Sequence, residues 1–190
     1  MSSHKIFNRN LTLGKIANIL TLVRSLIGLL VIIFLIHGYF VIAWVLILVG
    51  GVTDVLDGPL ARISAKGSST WGARLDPLAD KLLLLAPLLW LSANRVLPIW
   101  SVWILLSREL IVSAWRSNQK DAAPASVLGK IKTVLQFLSI LLLMWPESIG
   151  DLSIVSNINS IGFILFWISL FFALASFIKY LTKKITYNPK

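Results

Sequence analysis

The sequence contains no cysteine and very little negative charge. Without cysteine there is no disulfide, no zinc–thiolate centre and no thiol nucleophile. Only eight Asp and Glu stand against eighteen Lys and Arg, and charged residues make up 14% of the 190-residue chain. What fills the remainder is apolar: 57% of residues, against the roughly 45–50% of soluble domains, with a mean hydropathy of +0.83. Water is therefore not the main solvent. The net charge of +10 leaves nucleic acid, anionic lipid or an anionic substrate as partners. The basic residues are scattered between apolar runs rather than gathered in a stripe, so nucleic acid is set aside. Eight tryptophans suit a protein with two membrane–water interfaces to occupy.

Spanning a bilayer takes about 20 mostly apolar residues per helix. Six stretches approach this: Ile16–Ile36, Phe40–Leu60, Leu75–Ser92, Ile99–Val112, Val134–Trp145 and Ile158–Leu181. The second continues as a helix past its apolar part, and the fourth and fifth gain polar extensions. His37-Gly38, Asn94 to Pro98 and Pro146 to Asn159 read as turns on one side, Ser64–Thr70 and Ser117–Ser126 as connections on the other. With the N-terminus on the cytoplasmic side, every Lys and Arg except Arg95 falls at that face, seventeen of eighteen. This is a strong positive-inside pattern. The expected architecture is an all-α integral membrane protein, a six-transmembrane-helix bundle with both termini cytoplasmic. Residues 1–15 form an N-terminal cytoplasmic segment, 16–181 the membrane domain and 182–190 a basic tail. Met1–Asn10 is polar and lacks a small-residue cleavage site, so the first apolar run reads as a retained span.

Four of the eight acidic residues fall between positions 54 and 80. Carboxylates at bilayer depth are costly and usually face a bundle interior or hydrated cavity where they act. Asp54 and Asp57 are three residues apart, Asp76 and Asp80 four, and either spacing puts a pair on one helical face. The pairs sit near the cytoplasmic ends of consecutive helices, so the four can converge. One such aspartate is commonly a cap or an ion-pair partner, here of Arg62, Arg74 or Lys81. Four together repel one another and need protons or cations. Oxygen-only donors suit hard divalent ions, magnesium foremost and manganese or calcium next, while the lack of nearby His or Cys disfavours zinc. Two ions held by shared carboxylates suit displacement at phosphorus. Gly58, Ala61 and Gly72 leave room for a bulky group beside them, and Arg62 offers a planar fork to a phosphate. Pro59 removes the bond to the Val55 carbonyl and predicts a kink.

The string Asp54-Val-Leu-Asp57-Gly58-Pro-Leu-Ala61-Arg62, then Gly72-Ala-Arg-Leu-Asp76-Pro-Leu-Ala-Asp80, resembles the signature of the CDP-alcohol phosphotransferase family, D-x-x-D-G-x-x-A-R followed by G-x-x-x-D-x-x-x-D. Every fixed position is matched. Asn18-Ile-Leu-Thr21-Leu-Val-Arg24 resembles the family's N-terminal helix. Leu75 to Lys81, Ser107 to Ser113 with Arg116, and Gly129-Lys-Ile-Lys-Thr133 are similar to the phosphatidylglycerophosphate synthase branch. The resemblance runs from about Asn18 to Gln136 and weakens beyond.

It implies transfer of a phosphatidyl group from CDP-diacylglycerol to glycerol 3-phosphate, in an inner (cytoplasmic) membrane of bacterial type with the active site facing the cytoplasm. On the matching positions, Asp54, Asp57 and Asp76 hold two magnesium or manganese ions, and Asp80 completes the site and acts as general base. Gly58, Ala61 and Arg62 border the cytidine diphosphate, with Asn18, Thr21 and Gly72 nearby. The acceptor's own phosphate requires a second anion site, for which Lys81, Arg108, Arg116, Lys130 and Lys132 are candidates; Arg116 with Lys130 and Lys132 is the preferred cradle. Each of these cations is equally explained by positive-inside topology. Glu109 is expected to pair with Arg108 or another cation, and His37 to be an interfacial turn residue. The resemblance also implies a homodimer, although no heptad or small-residue seam in the sequence marks its interface. Two competing readings are another acceptor, as in a cardiolipin synthase or a phosphatidylinositol phosphate synthase, and a magnesium transporter. The last needs polar groups along a path across the bilayer, and helices 5 and 6 carry no intramembrane carboxylate.

Overall fold

The structure, a computed structural model, describes Val23 and residues 25–64, 72–117 and 127–186; the side chains of 54–80, 115–128, 180, 181 and 183–186 lie outside that description. All regular structure among the described residues is α-helical: α1 (Ser25–Ile36), α2 (Phe40–Ser64), α3 (Gly72–Ala93), α4 (Ile99–Ser117), α5 (Val127–Leu143) and α6 (Leu152–Thr186). The chain divides into two compact units, Met1–Pro87 and Leu88–Lys190.

Two of the expected turns are closed by the same device. After α1, Gly38 adopts φ +78°, and the Tyr39 and Gly38 amides donate to the Phe34 and Leu35 carbonyls at 2.8 and 3.1 Å. This is a Schellman ending, and the Phe34 and Tyr39 rings close over it at 6.1 Å. His37 lies exposed in this turn, its ring nitrogen Nδ1 donating to the Ile33 carbonyl. After α3, Val96 and Arg95 donate to the Leu91 and Ser92 carbonyls in the same pattern at 2.9 and 3.1 Å. Here Arg95, at φ 60°, occupies the left-handed position that glycine normally takes.

The third turn is shorter than the sequence suggests. Pro146 to Asn159 reads as a connection, yet α6 begins at Leu152, because Gly150 (φ +121°) and Asp151 complete the turn and the Asp151 carbonyl already accepts from Val155. Ser153, Ser156, Asn157, Asn159 and Ser160 dilute the hydropathy of this stretch without breaking its helix. At the other end of that connection α5 stops at Leu143, two residues before the expected Trp145. The polar extensions of α4 to Ser117 and of α5 back to Val127 are as expected, and α2 remains helical on both sides of Pro59.

Among the described residues, Leu152–Lys179 is the helix long and apolar enough by itself to cross a membrane, with 28 residues that include an 18-residue stretch of mean hydropathy 2.5. The charged residues of the motif helices gather at the ends joined by residues 65–71: Asp54, Asp57 and Arg62 on α2, and Arg74, Asp76, Asp80 and Lys81 on α3.

In the second unit, α6 packs along α5 and against α4. Its buried positions Val155, Gly162, Phe166, Ser169, Ala173 and Ser176 keep a three–four spacing, as do Lys132, Gln136, Ser139 and Leu143 on α5. That alternation is the spacing of one helix face turned to a neighbour. Many of these residues are small or polar, whereas Trp103, Phe171 and Ile178 point outward, 69%, 68% and 60% exposed. An apolar exterior around a partly polar seam suits lipid as the solvent.

Candidate active site

The buried stripe of α2 runs through Ala43, Ile47 and Gly50, again at alternating spacings of four and three. Carried forward at that spacing it reaches Asp54 and then Asp57. On α3, Leu83 and Pro87 are buried, and the stripe carried back from them reaches Asp80 and then Asp76. The two stripes meet where Gly50 lies against the Leu83 side chain. In a parallel arrangement this contact would put the start of α3 ~37 Å from the end of α2, more than the ~28 Å that residues 65–71 can bridge, so the helices are antiparallel. Asp54 and Asp80 then lie ~6 and ~4.5 Å along their helices from the contact, and Asp57 and Asp76 both ~10.5 Å. The aspartate positions thus lie level in pairs, toward the ends of two antiparallel helices that residues 65–71 join.

Gly58 and Ala61 continue the Asp54 face of α2 by one and two turns, followed by Arg62, and Gly72 opens α3. Four carboxylate positions at one contact, with no nitrogen or sulfur donor among them, fit hard divalent cations, whose charge would offset the mutual repulsion. Asn18 and Thr21, expected beside the donor nucleotide, lie outside the described residues.

The predicted acceptor cations fall on three helices: Lys81 on α3, Arg108 and Arg116 on α4, and Lys130 and Lys132 on α5. Lys81 is half-buried and Lys130 exposed, and of Arg116 the helical position alone is described. Arg108 and Lys132 are buried, 8% and 3% exposed, and both bind Oε1 of Glu109, Arg108 through Nη1 at 2.9 Å. Arg108 also donates from Nε to the Ala173 carbonyl and from Nη2 to Ser176 Oγ, each at 3.1 Å. Lys132 lies eleven residues before Leu143, and Ala173 eleven after Gly162, which packs on Leu143, so all these groups share one level of the α5–α6 pair. The Trp100 and Trp167 rings meet at 5.5 Å, tilted by 46°, further back along α4 and α6, so those two helices run parallel. Lys130 and Lys132, grouped by the sequence, therefore have different surroundings, one in solvent or headgroups and one inside the bundle. Glu109 had been expected to pair with one cation and holds two. Ser176 and the Ala173 carbonyl were not foreseen; the signal available for them was a small-residue spacing on α6 opposite an intramembrane arginine.

The family sequence profile described as CDP-alcohol phosphatidyltransferase matches residues 14–175. This chain belongs to the CDP-alcohol phosphatidyltransferase family. The match continues well beyond Gln136, where the motif resemblance fades, and takes in the α5–α6 seam. Among similar proteins of the family, one from Mycobacterium tuberculosis named "Probable phosphatidylglycerophosphate synthase" is 35% identical over 144 residues, covering 72% of this chain and 68% of the relative. A Bacillus subtilis CDP-diacylglycerol–glycerol-3-phosphate 3-phosphatidyltransferase is 31% identical over 142 residues, 73% of this chain and 71% of its own. A Drosophila melanogaster protein named "Probable cardiolipin synthase (CMP-forming)" is 33% identical over 97 residues, 51% of this chain and 30% of its own.

Proposed function

We propose that this phosphatidyltransferase moves the phosphatidyl group of CDP-diacylglycerol to glycerol 3-phosphate, yielding phosphatidylglycerol phosphate and cytidine monophosphate. The observation that carries the reading is that the four motif aspartates continue the buried α2–α3 stripe, two per helix and level in pairs. Relatives named for this transfer at 31–35% identity support the choice of acceptor. We read the bundle as six membrane-crossing helices with both termini and the aspartates at the cytoplasmic face of a bacterial-type inner membrane, and the active form as a homodimer. The cytoplasmic side is favoured by seventeen of eighteen basic residues, the lipid setting by the apolar exterior.

Asp54, Asp57, Asp76 and Asp80 are the residues that would hold two magnesium or manganese ions, which when bound would neutralise the donor diphosphate. Asp80 takes the proton of the acceptor hydroxyl as its oxygen bonds to the phosphatidyl phosphorus and the bond to the cytidine monophosphate oxygen breaks. Gly58, Ala61 and Gly72 leave space for the cytidine diphosphate, bordered by Asn18, Thr21 and the Arg62 fork. Arg116, Lys130 and Lys132, with Arg108 and Lys81, supply positive charge for the acceptor phosphate. Glu109 keeps Arg108 and Lys132 together against their repulsion.

The test is cytidine monophosphate release from CDP-diacylglycerol with a panel of acceptors, with and without magnesium. Release that requires both magnesium and glycerol 3-phosphate is expected. Release with phosphatidylglycerol instead would assign the second reading, a cardiolipin synthase, which the Drosophila relative favours. Release with inositol phosphate would likewise overturn the acceptor.

A further inference from the structure

The Leu82–Leu83 step of α3 is gripped by two other helices at once. A Cβ built on Gly28 of α1 would fall 2.9 Å from the Leu82 carbonyl oxygen, 3.3 Å from its carbon and 3.4 Å from Leu83 Cα. A Cβ built on Gly50 of α2 would fall 2.7 and 3.1 Å from the two Leu83 methyls. The first set is backbone, which moves only if the helix moves. The second belongs to a side chain only 2% exposed, with little space into which to turn. Ordinary packing between the neighbouring residues would hold these helices further apart. Asp80 lies three residues before Leu83, and Asp54 four after Gly50. An offset at the grip is therefore passed within one turn to the carboxylates.

We propose that Gly28 and Gly50 are positioning residues for the aspartate site: by letting α1 and α2 close on Leu82–Leu83, they set the separation of α2 and α3 at which the four carboxylates share divalent ions. The proposal rests on the metal reading above. Gly162 supplies the comparison, since a Cβ there would meet Leu142 Cβ at 2.9 Å and the Leu143 amide nitrogen at 3.0 Å, an equally tight fit with no aspartate of the motif on either helix.

The experiment measures Mn2+ binding to the purified full chain in detergent by electron paramagnetic resonance, with melting temperature recorded in parallel. Gly50→Ala and Gly28→Ala are expected to weaken Mn2+ binding by about tenfold or more, in keeping with the large cost of ångström-scale misplacement in a built site. Gly162→Ala is expected to lower the melting temperature and leave Mn2+ affinity unchanged. Trimming the obstacle gives a rescue: Gly50→Ala combined with Leu83→Ala should bind Mn2+ within about threefold of Leu83→Ala alone. No such trim exists for Gly28, whose neighbours are backbone, so Gly28→Ala should stay impaired in the Leu83→Ala background. Unchanged affinity in Gly50→Ala and Gly28→Ala, or an equal loss in Gly162→Ala, would overturn the proposal. Absence of Mn2+ binding in the wild type, or binding that survives Asp57→Asn, would instead overturn the metal reading beneath it.

Discussion

The α2–α3 and α5–α6 pairs are built to one plan and end in opposite chemistry. Each is an antiparallel pair with a buried three–four stripe, and each has a glycine at the point of closest approach, Gly50 in one and Gly162 in the other. Toward one end the first stripe runs into four aspartate positions. The second runs into Lys132 and Ser176, with Arg108 and Glu109 joining from α4. In the second pair two cations share one carboxylate within the protein. In the first, four acidic positions accumulate on a stripe whose other positions, Ala43, Ile47, Gly50, Leu83 and Pro87, carry no charge, an arrangement that makes sense where a cation is part of the working state. The same packing ends in cations tied by a carboxylate in one pair and in a set of carboxylate positions in the other.

The largest effect expected on this contrast is at Asp80. Asp80→Asn should lower turnover about 10³-fold, in the range for loss of a general base, with donor binding retained and the metal-free melting temperature no lower than wild type. A variant with full activity would remove Asp80 as the base. Glu109→Ala should act on stability, costing about 3–5 kcal/mol because two buried cations lose their shared carboxylate. Thermal denaturation in detergent checks this, and a melting temperature within a degree of wild type would mean that the two cations do not depend on Glu109. Gly162→Ala should cost about 1–3 kcal/mol through overpacking against Leu142 and Leu143, with the metal requirement for activity unaltered. The smallest effect is at the far turn, where Arg95→Gly should stabilise the chain by about 0.5–1 kcal/mol by relieving a left-handed arginine. A lower melting temperature there would mean that the Arg95 side chain contributes more than its backbone costs.

The aspartate pairs were legible in the sequence because charge is rare in an apolar helix and because three- and four-residue spacings translate directly into one face. Their relation to the packing was not. The stripe Ala43, Ile47, Gly50 is no more apolar than the lipid-facing side of α2, where Ile42, Val45 and Val49 are exposed. In lipid both faces are hydrophobic, so amphipathicity, which marks buried faces in water, carries little signal. The α5–α6 seam was hidden for the same reason, with the pattern partly inverted: Gln136, Ser139 and Ser169 are inside and Phe171 outside. The start of α6 was missed because hydropathy averages over a window, whereas the boundary is made locally by Gly150 and Asp151. The partnership of Glu109 was half legible; pairing a buried carboxylate is obligatory, but which cations reach it depends on helix register.

The Leu152–Lys179 part of α6 is longer than the layer it has to cross. At ~1.5 Å per residue its 28 residues extend ~42 Å, against a hydrocarbon thickness of ~30 Å. The surplus of ~12 Å is about the length of residues 152–160, where Ser153, Ser156, Asn157, Asn159 and Ser160 suit the headgroup layer. These polar first turns set the depth at which the apolar remainder of the helix sits, and because Arg108 fastens α4 at Ala173 and Ser176, α4 is held to the same depth. The Arg108–Glu109–Lys132 group is thereby kept at one level of the bilayer.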